Sequence, residues 1–134
     1  MSRDELRKLL EACPSMSWRL LLALCRLAAL RRGEAINLPW SAIDWDKRRL
    51  EVISQKTHRR RLVPIDPELC NLLLKAFSAA SEGEPLVIPV GSIGTSNLWR
   101  DFGKICKRAG LERWDDWCQV LRRNCETDWA QKYP

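Results

Sequence analysis

Residues 50–77 read LEVISQKTHRRRLVPIDPELCNLLLKAF. Leu50, Val52 and Ile53 mark one strand, and Leu62, Val63 and Ile65 mark another. Two short apolar runs around a polar, basic stretch at 55–61 predict an antiparallel hairpin. Pro64 limits the second strand to an edge or a strand end, because proline has no N–H to give to a ladder. Asp66-Pro67 then reads as an N-cap with proline at the first helical position. Leu69, Leu72, Leu73, Ala76 and Phe77 follow as an apolar helical stripe. The period changes from strand to helix inside this one stretch, so the domain mixes both.

Upstream, Ser2-x-x-Glu5 is a capping box that opens a helix carrying Leu6, Leu9, Leu10 and Cys13. Pro14 and Ser15 end it. A second helix is expected over 16–30, apolar on most sides and therefore the central buried one. Gly33 and Pro39 bracket a short helical segment at 34–38, and 44–47 reads as a turn. Downstream, 81–96 is a long loop holding one apolar run, 86–90. A helix is expected over 97–109 with Leu98, Phe102, Ile105 and Cys106 inward, and Gly110 just past its end. A last helix is expected over about 118–131. The sum is a single domain over 1–134, mainly α with a small antiparallel β-sheet (α+β).

The chain has 134 residues, 46% of them apolar, which is enough for a core. A net charge of +6 favours a polyanionic partner, above all nucleic acid, although it also fits a merely basic soluble protein. The six cysteines form no C-x-x-C pair, and His58 is the one histidine, so zinc-finger spacing is excluded. Several cysteines fall inside apolar helical patterns and read as buried free thiols of a reducing compartment. No secretory signal is visible, and the most apolar run is interrupted by Arg19 and Arg26. These features predict a cytoplasmic protein with no membrane partner.

Three clusters carry chemistry. In 30–34, LRRGE, Arg31 follows the buried helix and precedes a short one, which fixes a guanidinium where its fork can grip phosphate oxygens. Glu34 lies close enough to brace it. A surface charge cluster between two helices would look the same. In the hairpin, Lys56, His58, Arg59, Arg60 and Arg61 make a basic tip able to follow a DNA backbone or enter a groove. A lysine there can also protonate a leaving oxygen. A charged, solvated hairpin is the bland alternative. Gln119 and Arg122 lie three apart on one helix face and can offer an amide and a guanidinium to one phosphate. By itself this pair fits an ordinary amphipathic helix. Arg100, Lys104, Lys107 and Arg108 read as a solvated face. Trp40, Trp45, Trp99 and Trp129 read as core.

The order and spacing of these clusters resemble the tyrosine recombinases, the phage-integrase family. That family carries a G-L-R-x-x-E box, a hairpin lysine before a V-P strand, and a later H-x-L-R box. Here these are Ala29 to Glu34, Lys56 to Pro64, and Gln119 to Arg122. The resemblance covers essentially the whole chain and implies the catalytic-domain fold of the family. It also implies that a tyrosine attacks the scissile phosphate and forms a 3′-phosphotyrosyl bond. Arg31 and Arg122 match the arginines that stabilise charge on that phosphate. Lys56 matches the lysine that protonates the 5′ oxygen, and Glu34 the acid that orients the pocket. Arg32 and Arg123, beside the boxes, join His58, Arg59, Arg60 and Arg61 as expected DNA contacts. Double-stranded DNA and other protomers in a tetramer are the implied partners. No metal or other cofactor is implied, because the phosphotyrosine keeps the bond energy.

The pattern departs from the family in three places. Ala29 replaces the box glycine. Gln119 replaces the box histidine, and an amide cannot shuttle a proton. The only tyrosine, Tyr133, follows Arg122 too closely to match the nucleophile. It reads as a core or surface aromatic near a helix end. The expectation is a partial catalytic domain, C-terminally incomplete and without the family's amino-terminal clamping domain, that binds the scissile phosphate but does not cleave DNA by itself. The alternatives are a non-catalytic DNA-binding module on the same fold and a helical protein-interaction domain.

Overall fold

The capping box is present as read. In the computed structural model, which describes residues 1–54, 56–94 and 97–133, Ser2 Oγ accepts the Glu5 N–H at 3.1 Å. The Glu5 carboxylate in turn accepts the Ser2 N–H at 3.0 Å. Helix α1 (Arg3–Glu11) follows and buries Leu6 and Leu9. Helix α2 (Met16–Ala28) starts from Ser15, whose hydroxyl accepts the Trp18 N–H at 3.3 Å. Most of its side chains are buried, as expected of a central helix. It ends earlier than the expected residue 30. Ala29 turns left-handed (φ 54, ψ 36), and the Leu30 N–H returns to the Leu24 carbonyl at 3.3 Å. That wrap satisfies a terminal carbonyl and stops the helix. Helix α3 (Arg32–Ile36) begins and ends two residues before the expected 34–38. The reason is local: Glu34 accepts the Arg31 N–H at 2.9 Å and so caps a helix starting at Arg32.

The sheet has three strands in order β1-β2-β3, all antiparallel: β1 (Ile43–Asp44), β2 (Arg49–Ile53) and β3 (Arg60–Pro64). Sequence reading finds the hairpin of β2 and β3 but not β1, whose two residues are too few to show a period. It also places Arg60 and Arg61 in the loop, whereas they pair with Ile53 and Val52. Pro64 closes β3 on the sheet edge, where its missing N–H costs nothing. Side chains alternate between the faces. Leu50, Val52 and Val63 are buried, and Arg61, opposite Val52, shares their face. Gln55 in the hairpin loop and Ser96 at the end of the long loop lie outside the described residues.

Asp66 caps helix α4 (Pro67–Ala79), accepting the Glu68 N–H at 2.9 Å. Arg3 holds the same carboxylate at 2.6 Å and so ties α1 to α4. Leu69, Leu73 and Ala76 face the core, but Phe77 is 52% exposed. It lies edge-on to Trp40 and Trp45, with centroids at 5.0 and 5.8 Å. Helix α5 (Leu98–Ala109) buries Phe102, Ile105 and Cys106, and Gly110 follows with φ 74. Trp99 is exposed rather than core, beneath the Arg113 guanidinium at 4.0 Å. Helix α6 (Trp117–Lys132) packs along α2. There the buried Arg26 reaches Asp128 at 2.8 Å, and Trp117 stacks on Phe102 at 4.5 Å. Among the described residues every cysteine is unbonded, and all except the half-buried Cys118 are buried. Among the same residues no helix is long and apolar enough to cross a membrane.

Candidate functional site

The α2–α3 junction, β3 and α6 meet around an open cleft of about 580 Å³. Its walls are Ala29, Arg31, Arg61, Arg122, Glu126, Trp129, Ala130 and Tyr133. Each arginine is there for a local reason. Arg31 is the extended residue (φ −73, ψ 155) between left-handed Ala29 and the start of α3. Arg61 follows from strand alternation, which puts it on the same face as Val63. Arg122 lies next to buried Leu121 and one turn before buried Cys125, so its stem runs along the edge of the packed face and 25% of the side chain stays exposed.

A buried carboxylate organises the cleft from behind. Glu34 has only 4% of its side chain exposed and takes the Arg61 fork at 2.9 and 2.8 Å. It also holds the Arg31 N–H, so one carboxylate fixes the backbone of one arginine and the head group of another. Burial pushes the Glu34 carboxyl up, but the Arg61 fork and the Arg31 N–H outweigh it and leave it below its ordinary value. The same bonds raise Arg61, against its own burial. Glu34 therefore braces Arg31 through the main chain and pairs its charge with Arg61, not with the Arg31 guanidinium. On α6, Arg122 Nε donates to Glu126 at 2.9 Å.

The remaining candidates lie around this cleft rather than in its wall. Lys56, His58 and Arg59 are exposed on the hairpin turn. His58 has φ 55 and lines a neighbouring cleft of about 520 Å³ with Glu34, Glu51 and Ser54. Arg60 points to the outer face of β3, with Nε 3.4 Å from Glu51. Arg32, in the first turn of α3, and Gln119 and Arg123, on α6, are exposed. Sequence reading did not find Glu126, Trp129 or Ala130 as wall residues, and it gave Tyr133 no place in the cleft. Glu126 had a signal, since i and i+4 are neighbours on a helix. Tyr133 is 59% exposed at the end of α6, with Lys132 Nζ 5.4 Å from its ring centroid. Among the described residues no group of His, Cys, Asp or Glu is placed to hold a metal ion.

Arg31 and Arg122 around one open cleft, with Arg61 tied to Glu34 in its wall, suit a tetrahedral oxyanion. Planar forks grip two oxygens at a time and keep their charge at any ordinary pH. Such a site stabilises the negative charge that grows on the phosphoryl oxygens in a transition state.

A family model described as the phage integrase family matches residues 1–132. A XerA recombinase structure superposes with a TM-score of 0.78 at 20% identity, covering 100% of this chain and 51% of that one. The catalytic domain of bacteriophage HP1 integrase gives 0.66 at 18% identity, covering 98% and 71%. A XerH site-specific recombinase bound to difH substrate gives 0.70 at 19%, covering 99% and 43%. At these identities the likeness is one of fold. The chain spans about half the length of the XerA protein. No curated protein matches it.

Proposed function

This chain belongs to the phage integrase family, and we propose that it carries the phosphate-binding part of a site-specific DNA recombinase. The observation that carries this reading is the meeting of Arg31 and Arg122, distant in sequence, in one cleft with Arg61. In this reading Arg31 and Arg122 grip the scissile phosphate and stabilise the charge that builds on it. Glu34 keeps Arg31 and Arg61 in place. Lys56, on the exposed hairpin turn, comes to the departing 5′ oxygen when DNA docks. Gln119 donates a hydrogen bond to the phosphate but moves no proton. Arg32, His58, Arg59, Arg60 and Arg123 contact the flanking backbone, where their charge releases counterions. Tyr133 lines the cleft wall and is given no attacking role in this reading.

The test is a titration of a fluorescent DNA duplex with the 134-residue chain, read by anisotropy at several salt concentrations. Binding should weaken steeply with salt, as expected when several phosphates are neutralised. Arg31→Ala and Arg122→Ala should each weaken it about tenfold, a loss in the range for a charge-assisted bidentate contact. Equal affinity of both variants and the parent chain would sink the reading.

A further inference from the structure

Glu126 is a carboxylate in a cleft otherwise charged by arginines. Its Oε1 sits 2.9 Å from Arg122 Nε, and half of its side chain is exposed. It also lies close enough to Arg61 to raise that group's pKa by its charge. A phosphodiester entering the cleft meets this carboxylate and is repelled by it. It must also compete with it for Arg122 Nε.

The pairing is built to yield. Arg122 precedes Glu126 at i,i+4, with the basic residue nearer the helix N-terminus, the weaker of the two orientations. The pair lies well inside α6, away from both helix ends, so neither charge gains from the helix dipole. By contrast, Glu34 is buried and takes a two-bond fork from Arg61. One arginine of the cleft is thus locked and another is loosely held.

We propose that Glu126 occupies Arg122 in the empty cleft and is displaced when a phosphodiester binds, acting as a positioning residue that sets the threshold for productive docking. Glu126 holds Arg122 through Nε and shields the guanidinium from stray anions by its charge. Weak or misplaced phosphates fail to displace it, whereas a phosphate held by flanking contacts succeeds. The inference rests on the cleft being the phosphate site.

The experiment uses the same duplex titration on the full chain with Glu126→Gln, Arg122→Ala and the double variant. Glu112→Gln serves as control, since it removes the same charge from an exposed residue outside the cleft wall. Glu126→Gln should raise affinity about three- to fivefold at low salt, in the range for loss of an exposed ion pair that competes with binding. Glu112→Gln should raise it less. In the Arg122→Ala background the gain from Glu126→Gln should shrink toward that of Glu112→Gln, because charge repulsion remains but the guanidinium that Glu126 holds is gone. Circular dichroism should show α6 intact in every variant. A gain that keeps its full size in the double variant would mean charge repulsion alone and overturn the proposal. So would unchanged or weaker binding by Glu126→Gln. If Arg122→Ala alone leaves affinity unchanged, the cleft is not the phosphate site, and the failure lies in that earlier reading.

Discussion

At position 29 an alanine holds a backbone conformation that favours glycine. Its φ of 54 and ψ of 36 are left-handed, where a Cβ crowds the following carbonyl. The resemblance expects glycine here, and the sequence alone suggests only that a small residue suffices. The sign of φ is what the sequence does not show, and it turns a minor departure into a strained one. Ala29→Gly should stabilise the fold by about 0.5–1 kcal/mol, the strain relief being partly offset by extra freedom of the unfolded chain. Thermal unfolding should shift up by about 2–4 °C. An unchanged or lower midpoint would mean that the buried Cβ packs better than it strains. Residue 61 teaches the converse lesson. Its basic neighbours suggest a DNA-facing tip, yet counting back by twos from the apolar Val63 puts Arg61 on the core face. That signal was legible. Its partner was not, because Glu34 lies 27 residues away and is brought near only by the tertiary fold.

Among the elements, those with a polar cap and a glycine or proline boundary were readable to within a residue or two. α1 and α4 each start at the capping residue that the sequence offers, and α5 starts one residue after the expected 97, behind an Asn97 cap. β1 and the true span of α3 were not, since two residues and five carry no measurable period. α3 packs against α2 and is tied to β3 by the Glu34–Arg61 fork. Arg61→Ala would leave the Glu34 carboxylate buried with a single N–H donor, at a cost of about 2–3 kcal/mol. The midpoint of urea unfolding should fall accordingly. The pH dependence follows from the same pair. The folded-state pKa of Glu34 lies below its ordinary 4.5. Its contribution is therefore complete above that ordinary value and is lost as pH falls through the depressed one. The parent chain should lose stability more steeply below about pH 4.5 than Glu34→Gln, which has no proton to take up there. Parallel curves for the two would show that the fork contributes nothing at neutral pH.

On the scale of the whole molecule, one apolar cluster runs from Leu6 in α1 through α2, the sheet, α4 and α5 to Leu121 in α6. A core without internal divisions should open as a unit. The cysteines make this measurable. Cys13, Cys25, Cys70, Cys106 and Cys125 are buried, and only Cys118 is half-exposed. Burial pushes the thiols of Cys13 and Cys125 up to about 12 and that of Cys106 to about 11, so almost none is thiolate at neutral pH. Since the thiolate is the attacking form, a disulfide-exchange reagent should find no more than Cys118 in the native chain. The other thiols should then appear together, in one phase, at the rate of global unfolding. Four of them sit on four different helices and Cys13 on the link between α1 and α2, so each reports on a different region. If Cys13 on the α1 side or Cys125 on α6 reacts ahead of the rest, that edge opens alone. The fast one would identify it: early reaction at Cys125 would mean that α6 lifts from α2 and takes Arg122 away from Arg31. The arginine-lined cleft would then be assembled only part of the time, and DNA binding by the proposed site should fall with temperature well before the core melts.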